Sequence, residues 1–162
     1  MYFWYKFITY LLSPLANIYL IFRKFKKKEH ILRYKEKLAH TEINRPQGFL
    51  VWCHMASVGE AISIIPLIES LEKNEKIKSV LLTTLTLSSA AVVQKKIGYN
   101  KKVIHQFAPL DIPNVVNKFL KHWSPNLSIF VDSEIWPNLI TKKKKKKIPL
   151  VLVNARITKK TF

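Results

Sequence analysis

The sequence predicts an α/β fold, a Rossmann-like parallel sheet with helices on both faces, over residues 49–162. Three features carry that prediction. Short apolar runs of strand length recur along the chain, helix-length amphipathic stretches separate them, and the runs are apolar throughout. Strands buried on both faces read this way, and regular strand–helix alternation brings them parallel.

The first strand is expected over 49–53. A helix over 58–73 follows, with Ile64, Ile65, Ile68 and Leu71 on one face and a kink at Pro66. A second strand over 79–84 leads into a helix capped at Thr86 that reaches Ile97. After a third strand over 103–107, Asp111 is expected to cap a helix carrying Val115, Val116, Phe119 and Leu120. Pro113 suits that helix's first turn, where an N–H would have no partner anyway. A fourth strand (127–131), a helix from Pro137 running into a lysine tract, and a fifth strand (148–153) complete the order. No G-x-G-x-x-G follows the first strand, and three glycines in 162 residues leave no material for a Walker-type phosphate cradle.

Charge is the strongest compositional signal. The 28 basic residues against 10 acidic ones give +18, which favours an anionic partner such as an acidic membrane or a phosphorylated lipid. Half of the basic residues fall in two clusters: eight between Arg23 and Lys37, and six in the tract Lys142 to Lys147. The excess is mostly Lys, and the tract reads as a solvated helix end. Nothing resembles a nucleic-acid module with interleaved aromatic and basic residues, so no nucleic-acid partner is expected. The single Cys53 lies within a strand and reads as a small buried hydrophobe in a reducing compartment. No Cys/His spacing suggests a metal site.

Ahead of the α/β region, residues 1–22 are about one membrane span long and contain one charged residue, Lys6. Tyr2, Trp4, Tyr5 and Tyr19 suit membrane interfaces, and Pro14 would kink a helix here without forbidding insertion. Positive charge follows the apolar block instead of preceding it, and no A-x-A-like exit is visible, so a membrane anchor fits better than a cleaved signal. The positive-inside rule then puts the α/β region at the cytoplasmic face. A helix lying in one leaflet remains the alternative to a span. Residues 23–48 read as a basic juxtamembrane segment attracted to anionic headgroups.

The candidate chemistry lies just after the first strand, in Trp52-Cys53-His54-Met55-Ala56-Ser57-Val58-Gly59-Glu60. Ligands of open α/β sheets bind beyond the carboxyl ends of strands. Ser57-x-x-Glu60 is also a capping-box pattern, and the two roles are compatible. Glu134 and Arg156, after the fourth and fifth strands, fall at the same edge. For Glu134, cap and ligand contact are both open. A guanidinium at Arg156 would suit a carboxylate or phosphate. His54 and His105 read as packed or hydrogen-bonded residues at strand ends.

Several of these stretches occur together in a known family. Trp52 to Glu60 resembles W-[IFV]-H-A-A-S-V-G-E, and Ala108-Pro109-Leu110-Asp111-Ile112-Pro113 resembles A-P-L-D-x-P. Phe119-Leu120 with Trp123-Ser124-Pro125 follows as F-L-x-x-W-x-P, and Arg33 with Glu36-Lys37-Leu38 resembles R-x-x-E-[RK]-L. Glu134-Ile135-Trp136-Pro137-Asn138-Leu139 and Asn154-Ala155-Arg156 match E-[IL]-W-P-N-L and N-A-R, with Asp132 where the family has a further Glu. In this order the motifs are similar to those of the 3-deoxy-D-manno-octulosonic acid (Kdo) transferases of lipopolysaccharide biosynthesis. The resemblance implies a GT-B glycosyltransferase at the cytoplasmic face of the inner membrane. It would transfer Kdo from CMP-Kdo to lipid A precursor, without metal or other cofactor, and with inversion at the anomeric carbon. Glu60 would be the catalytic base, with Ser57, Gly59, Glu134 and Arg156 at the substrate. The resemblance covers the acceptor-binding part of such an enzyme and no donor domain. The chain is therefore expected to be inactive alone and to need a donor domain, which a separate chain could carry. The alternative is a non-catalytic membrane-associated remnant that binds anionic lipid.

Overall fold

A computed structural model describes residues 2–98, 100–132 and 136–154. Its centre is a five-stranded, all-parallel sheet in the order β3-β2-β1-β4-β5. The strands are β1 (Leu50–Met55), β2 (Ser79–Thr84), β3 (Val103–Phe107), β4 (Leu127–Val131) and β5 (Leu150–Val153). The order runs outward from β1 to β3, then jumps back to place β4 on the other side of β1. A crevice forms outside the carboxyl ends of the strands at such a reversal, so the turn after β1 stands at the switch point.

Alternate residues of the central strands feed two cores. Val51, Cys53 and Met55 face one side with Val80, Leu82, Ile129 and Val131. That side is covered by α3 (Val58–Ser63), α4 (Ile65–Lys73) and α5 (Leu87–Ile97), through Ala61, Ile68 and Val93. Leu50, Trp52, Leu81 and Phe130 face the opposite side. There α6 (Pro113–Trp123) and α7 (Pro137–Lys145) cover them with Val116, Phe119, Leu120, Trp123 and Leu139. Trp52 is the hub, with ring centroids 4.9 Å from Phe119 and 5.1 Å from Phe130. Its indole N–H donates to Thr83 Oγ1 at 2.9 Å, so the burial leaves no orphaned donor.

The expected helix over 58–73 is broken at Ile64 into α3 and α4, one residue earlier than the ring of Pro66 alone would suggest. Pro66 takes the first turn of α4, the place where its missing N–H does no harm. Thr86 caps α5 as expected, in a reciprocal box with Ser89.

The apolar N-terminal block forms two helices, α1 (Tyr2–Leu11) and α2 (Ser13–Phe25), bent by 64° at their junction. Among the described residues no single helix is long and apolar enough to cross a membrane; the bent pair meets that test together, by length and composition. The pair is also docked on the domain. Tyr5 donates its hydroxyl to Asp111 Oδ2 at 2.9 Å, and Asn138 Nδ2 donates to Thr9 Oγ1 at 3.1 Å.

The segment 23–48 is less of a free basic tether than its composition suggested. Glu29 is buried between Arg23 (2.6 Å) and Lys37 (2.7 Å). Around a 3-10 turn (Tyr34–Leu38) that Arg33 precedes and Glu36 lies within, the R-x-x-E motif straps the open edge of β3. The Arg33 guanidinium grips Glu36 and donates to the His105 carbonyl at 2.8 Å, while Glu36 accepts from the Phe107 N–H at 2.8 Å. An edge strand left bare would recruit other chains, and this strap occupies its backbone groups.

Candidate functional site

The turn that leaves β1 is short because Ser57 stops the strand and starts α3. Ser57 sits in extended backbone as the N-cap, and its Oγ accepts from the Glu60 N–H at 3.2 Å. The Glu60 side chain folds back over the turn. Its Oε2 accepts from the Ala56 N–H at 2.8 Å, and its Oε1 accepts from the Ser57 hydroxyl at 2.7 Å. The return bond thus goes to Ala56 and not to the Ser57 N–H of a strict capping box. Both carboxylate oxygens are fixed while the residue stays partly open to solvent. A carboxylate oxygen has a second lone pair, so each can still take a proton or a ligand hydrogen bond.

Gly59 stands on the exposed side of this turn, inside the first turn of α3. A Cβ built there would meet nothing closer than Ser57 Oγ at 4.0 Å, and its φ is not in the left-handed region. Neither packing nor backbone conformation calls for glycine, although Gly in a helix costs about 1 kcal/mol relative to Ala. Open space above the backbone is what the missing side chain leaves. Ser57, Gly59 and Glu60 therefore form one cluster, as the sequence indicated. Glu134 and Arg156 lie outside the described residues; the strands that lead to them, β4 and β5, end on the same edge.

Asp111 behaves differently from the sequence expectation. The N-cap of α6 is Ile112, with no side-chain bond, so Asp111 does not cap that helix. It caps α7 from a distance instead. Oδ2 accepts from the Asn138 N–H at 3.0 Å and Oδ1 from the Leu139 N–H at 2.9 Å. Those are donors that a helix start leaves unsatisfied, and a negative charge there also complements the helix dipole. Asn138 returns a bond from Nδ2 to the Asp111 carbonyl at 2.6 Å. The A-P-L-D and W-P-N-L stretches are two halves of one joint. Sequence spacing held no sign of it, because the partners are 27 residues apart.

The histidines are packed, as expected. His54 is 2% exposed with Nδ1 2.9 Å from Thr83 Oγ1, and burial, with Lys143 nearby, pushes its pKa down to about 4. His105 Nδ1 must accept from Arg33 (3.1 Å), which assigns its proton to Nε2, 2.9 Å from Thr84 Oγ1. Burial and the Arg33 charge lower its pKa to about 3. Neither ring is free to shuttle protons near neutral pH. Burial likewise pushes the Cys53 thiol up to about 12, leaving it unreactive.

The lysine tract holds the surprise of this face. Lys143 is 2% exposed, on the inner side of α7 one turn after Leu139. Its ammonium lies 4.7 Å from the Phe130 ring centroid and 5.7 Å from that of Trp52, and Nζ has no hydrogen-bond partner among the described residues. Burial lowers its pKa from 10.5 to about 7. The i, i+4 relation to Leu139 was the available signal, hidden by five identical neighbours.

Comparison with known proteins agrees with this architecture. Residues 30–162 match the family described as 3-deoxy-D-manno-octulosonic-acid transferase (kdotransferase). A probable mitochondrial 3-deoxy-D-manno-octulosonic acid transferase of Arabidopsis thaliana is 39% identical over 98% of this chain and 35% of its own length. The corresponding transferase of Rickettsia bellii is 36% identical over 98% of the chain and 37% of its own length. That of Haemophilus influenzae is 34% identical over 78% of the chain and 30% of its own length. The chain thus spans about a third of the length of these relatives. It belongs to the 3-deoxy-D-manno-octulosonic acid transferase family.

Proposed function

We propose that these residues are the acceptor-binding part of a GT-B glycosyltransferase that transfers Kdo from CMP-Kdo to lipid A precursor. Donor binding is assigned to sequence outside these 162 residues, within the same protein or on a separate chain. The observation that carries the reading is the Glu60 carboxylate, fixed at the switch point by Ala56 and Ser57 and still partly open.

Glu60 takes the proton from the acceptor sugar hydroxyl as that oxygen attacks the anomeric carbon of Kdo. The bond from that carbon to the phosphate oxygen breaks, CMP leaves with the electron pair, and configuration inverts. Holding the base in place before substrate arrives removes the cost of orienting it, and general base catalysis is typically worth about 10² to 10⁴ in rate. Ser57 positions the carboxylate, and Gly59 lets the sugar approach the backbone. Glu134 and Arg156, which follow β4 and β5 in the sequence, are assigned to substrate contact on the strength of their motifs. No cofactor or metal takes part.

The setting is the cytoplasmic face of the inner membrane. Helices α1 and α2 present Phe3, Trp4, Phe7, Leu11, Ile18 and Phe22 outward, followed by Arg23, Lys24 and Lys26 to Lys28. Apolar residues followed by cations fit an anionic leaflet. With a 64° bend and polar bonds to the domain, the pair is better suited to lying in one leaflet than to spanning.

The test is transfer of Kdo from CMP-Kdo to lipid A precursor by the purified chain, alone and joined to the donor half of a relative. The chain alone should give no product and the joined protein should turn over. Product from the chain alone would contradict the assignment of donor binding elsewhere, and an inactive, folded joined protein would contradict the function.

A further inference from the structure

The bend between α1 and α2 encloses a groove. Its cavity of about 360 Å³ is of ligand-binding size. Leu12, Leu15 and Ala16 form one wall, and Leu110, Ile112 and Trp136 form the other. The polar side chains that reach it from the helices already have partners in the protein. Tyr5 is bonded to Asp111, Thr9 bonds the Tyr5 carbonyl and Asn138, and Tyr19 accepts from Arg23. Only the Tyr19 hydroxyl proton, on a half-exposed side chain, is left over among those three residues, so a ligand in the groove meets mainly carbon and its buried part should be apolar.

Two observations say which apolar ligand. The helical wall belongs to a part of the chain with membrane-like composition: residues 1–28 contain no acidic residue, and many outward side chains of α1 and α2 are exposed aromatics and aliphatics, with Lys6 and the cations after Phe22 among them. The groove opens within that surface, where hydrocarbon chains would be at hand. At its inner end, Asp111 and Trp136 also line a smaller cleft that reaches Trp52 and His54, at the end of the strand from which the Glu60 turn departs. The groove thus adjoins β1, the strand that leads into the Glu60 turn. We propose that this groove is a binding site for one acyl chain of the lipid acceptor, an inference that rests on the acceptor-binding reading above.

The experiment uses the full chain and a single-chain probe, 11-(dansylamino)undecanoic acid, followed by fluorescence. Ala16→Trp fills the groove, and Ile112→Trp fills it from the other wall. Ile18→Trp, on the exposed side of α2, is the control, and circular dichroism checks that each variant is folded. Saturable binding should weaken at least tenfold in whichever groove variants fold, dodecanoate should displace the probe better than butyrate, and Ile18→Trp should bind like the parent. Equal binding by the parent and a folded groove variant would overturn the site. So would a dimer, seen by sedimentation, that the groove variants dissociate, because the occupant would then be a second copy. Assaying the joined protein separates the two levels. Transfer that survives a filled groove with an acylated acceptor sinks the groove and leaves the function. Probe binding that behaves as expected in a folded protein incapable of transfer sinks the function and leaves the groove.

Discussion

Two carboxylates stand at the carboxyl edge of the same sheet, and they are employed in opposite ways. Asp111 is 7% exposed and spends its oxygens on two backbone donors of α7 and the Tyr5 hydroxyl. It ties together the 110–112 turn, α7 and the N-terminal helix, and has little left for a ligand. Glu60 also accepts two bonds, but both come from within four residues of itself, and it remains partly open. Long-range, saturated bonding marks a structural carboxylate; local bonding beside open space marks one available for chemistry.

The largest effect should come from breaking the structural member. Asp111→Ala strands the Asn138 and Leu139 N–H groups and the Tyr5 hydroxyl, each costing about 1–3 kcal/mol if left unpaired. We expect a loss of about 3 kcal/mol or more in chemical denaturation, together with easier proteolysis of the N-terminal helices. A loss below about 1 kcal/mol would mean the joint is not a support.

The other end of α7 gives the next effect, of opposite sign. An unpaired polar group in such a place costs about 1–3 kcal/mol, so Lys143→Leu should stabilise the protein by that order. The pH dependence follows from the depressed pKa. Between about 7 and 10.5 the unfolded chain holds the Lys143 proton and the folded one does not. Stability from this group is therefore full above 10.5 and is lost as pH falls toward 7. Chemical denaturation across that window should show parent stability rising with pH and a flatter profile in Lys143→Leu. Equal slopes would contradict the burial of the ammonium.

Gly59 sharpens the contrast from the other side. Gly59→Ala should stabilise by up to about 1 kcal/mol, since helix propensity improves and nothing clashes. In the joined protein it should raise KM for the lipid acceptor while leaving CMP-Kdo saturation unchanged. An unchanged KM would remove Gly59 from the acceptor surface.

The legibility of the chain divides along the same line. The strands and helices of the sheet were readable because each is a local apolar pattern, and the Ser57–Glu60 cluster because its bonds span four residues. The Asp111–Asn138 joint was not, since no local pattern encodes which helix a distant carboxylate will cap. Composition misled where one residue type played two parts. Lys143 packs on aromatic rings inside a tract that reads as solvated, and inside a segment that reads as a basic tether Arg33 belongs to a partly buried pair and Lys37 to a buried one. The N-terminal block was legible as apolar, whereas its bend and its docking depend on Asp111 and Asn138, far along the chain.

The most direct measurement compares turnover and melting midpoint for Glu60→Gln in the joined protein. Glutamine keeps the size of the side chain, its oxygen can accept from the Ala56 N–H, and its amide can donate to Ser57 Oγ. A residue that only caps the turn should then cost about 1 kcal/mol or less and leave turnover near normal. An amide cannot take the acceptor's proton, so the account predicts a fall in kcat of about a hundredfold or more with the melting midpoint nearly unchanged. Near-normal kcat would contradict it and leave Glu60 as a helix cap.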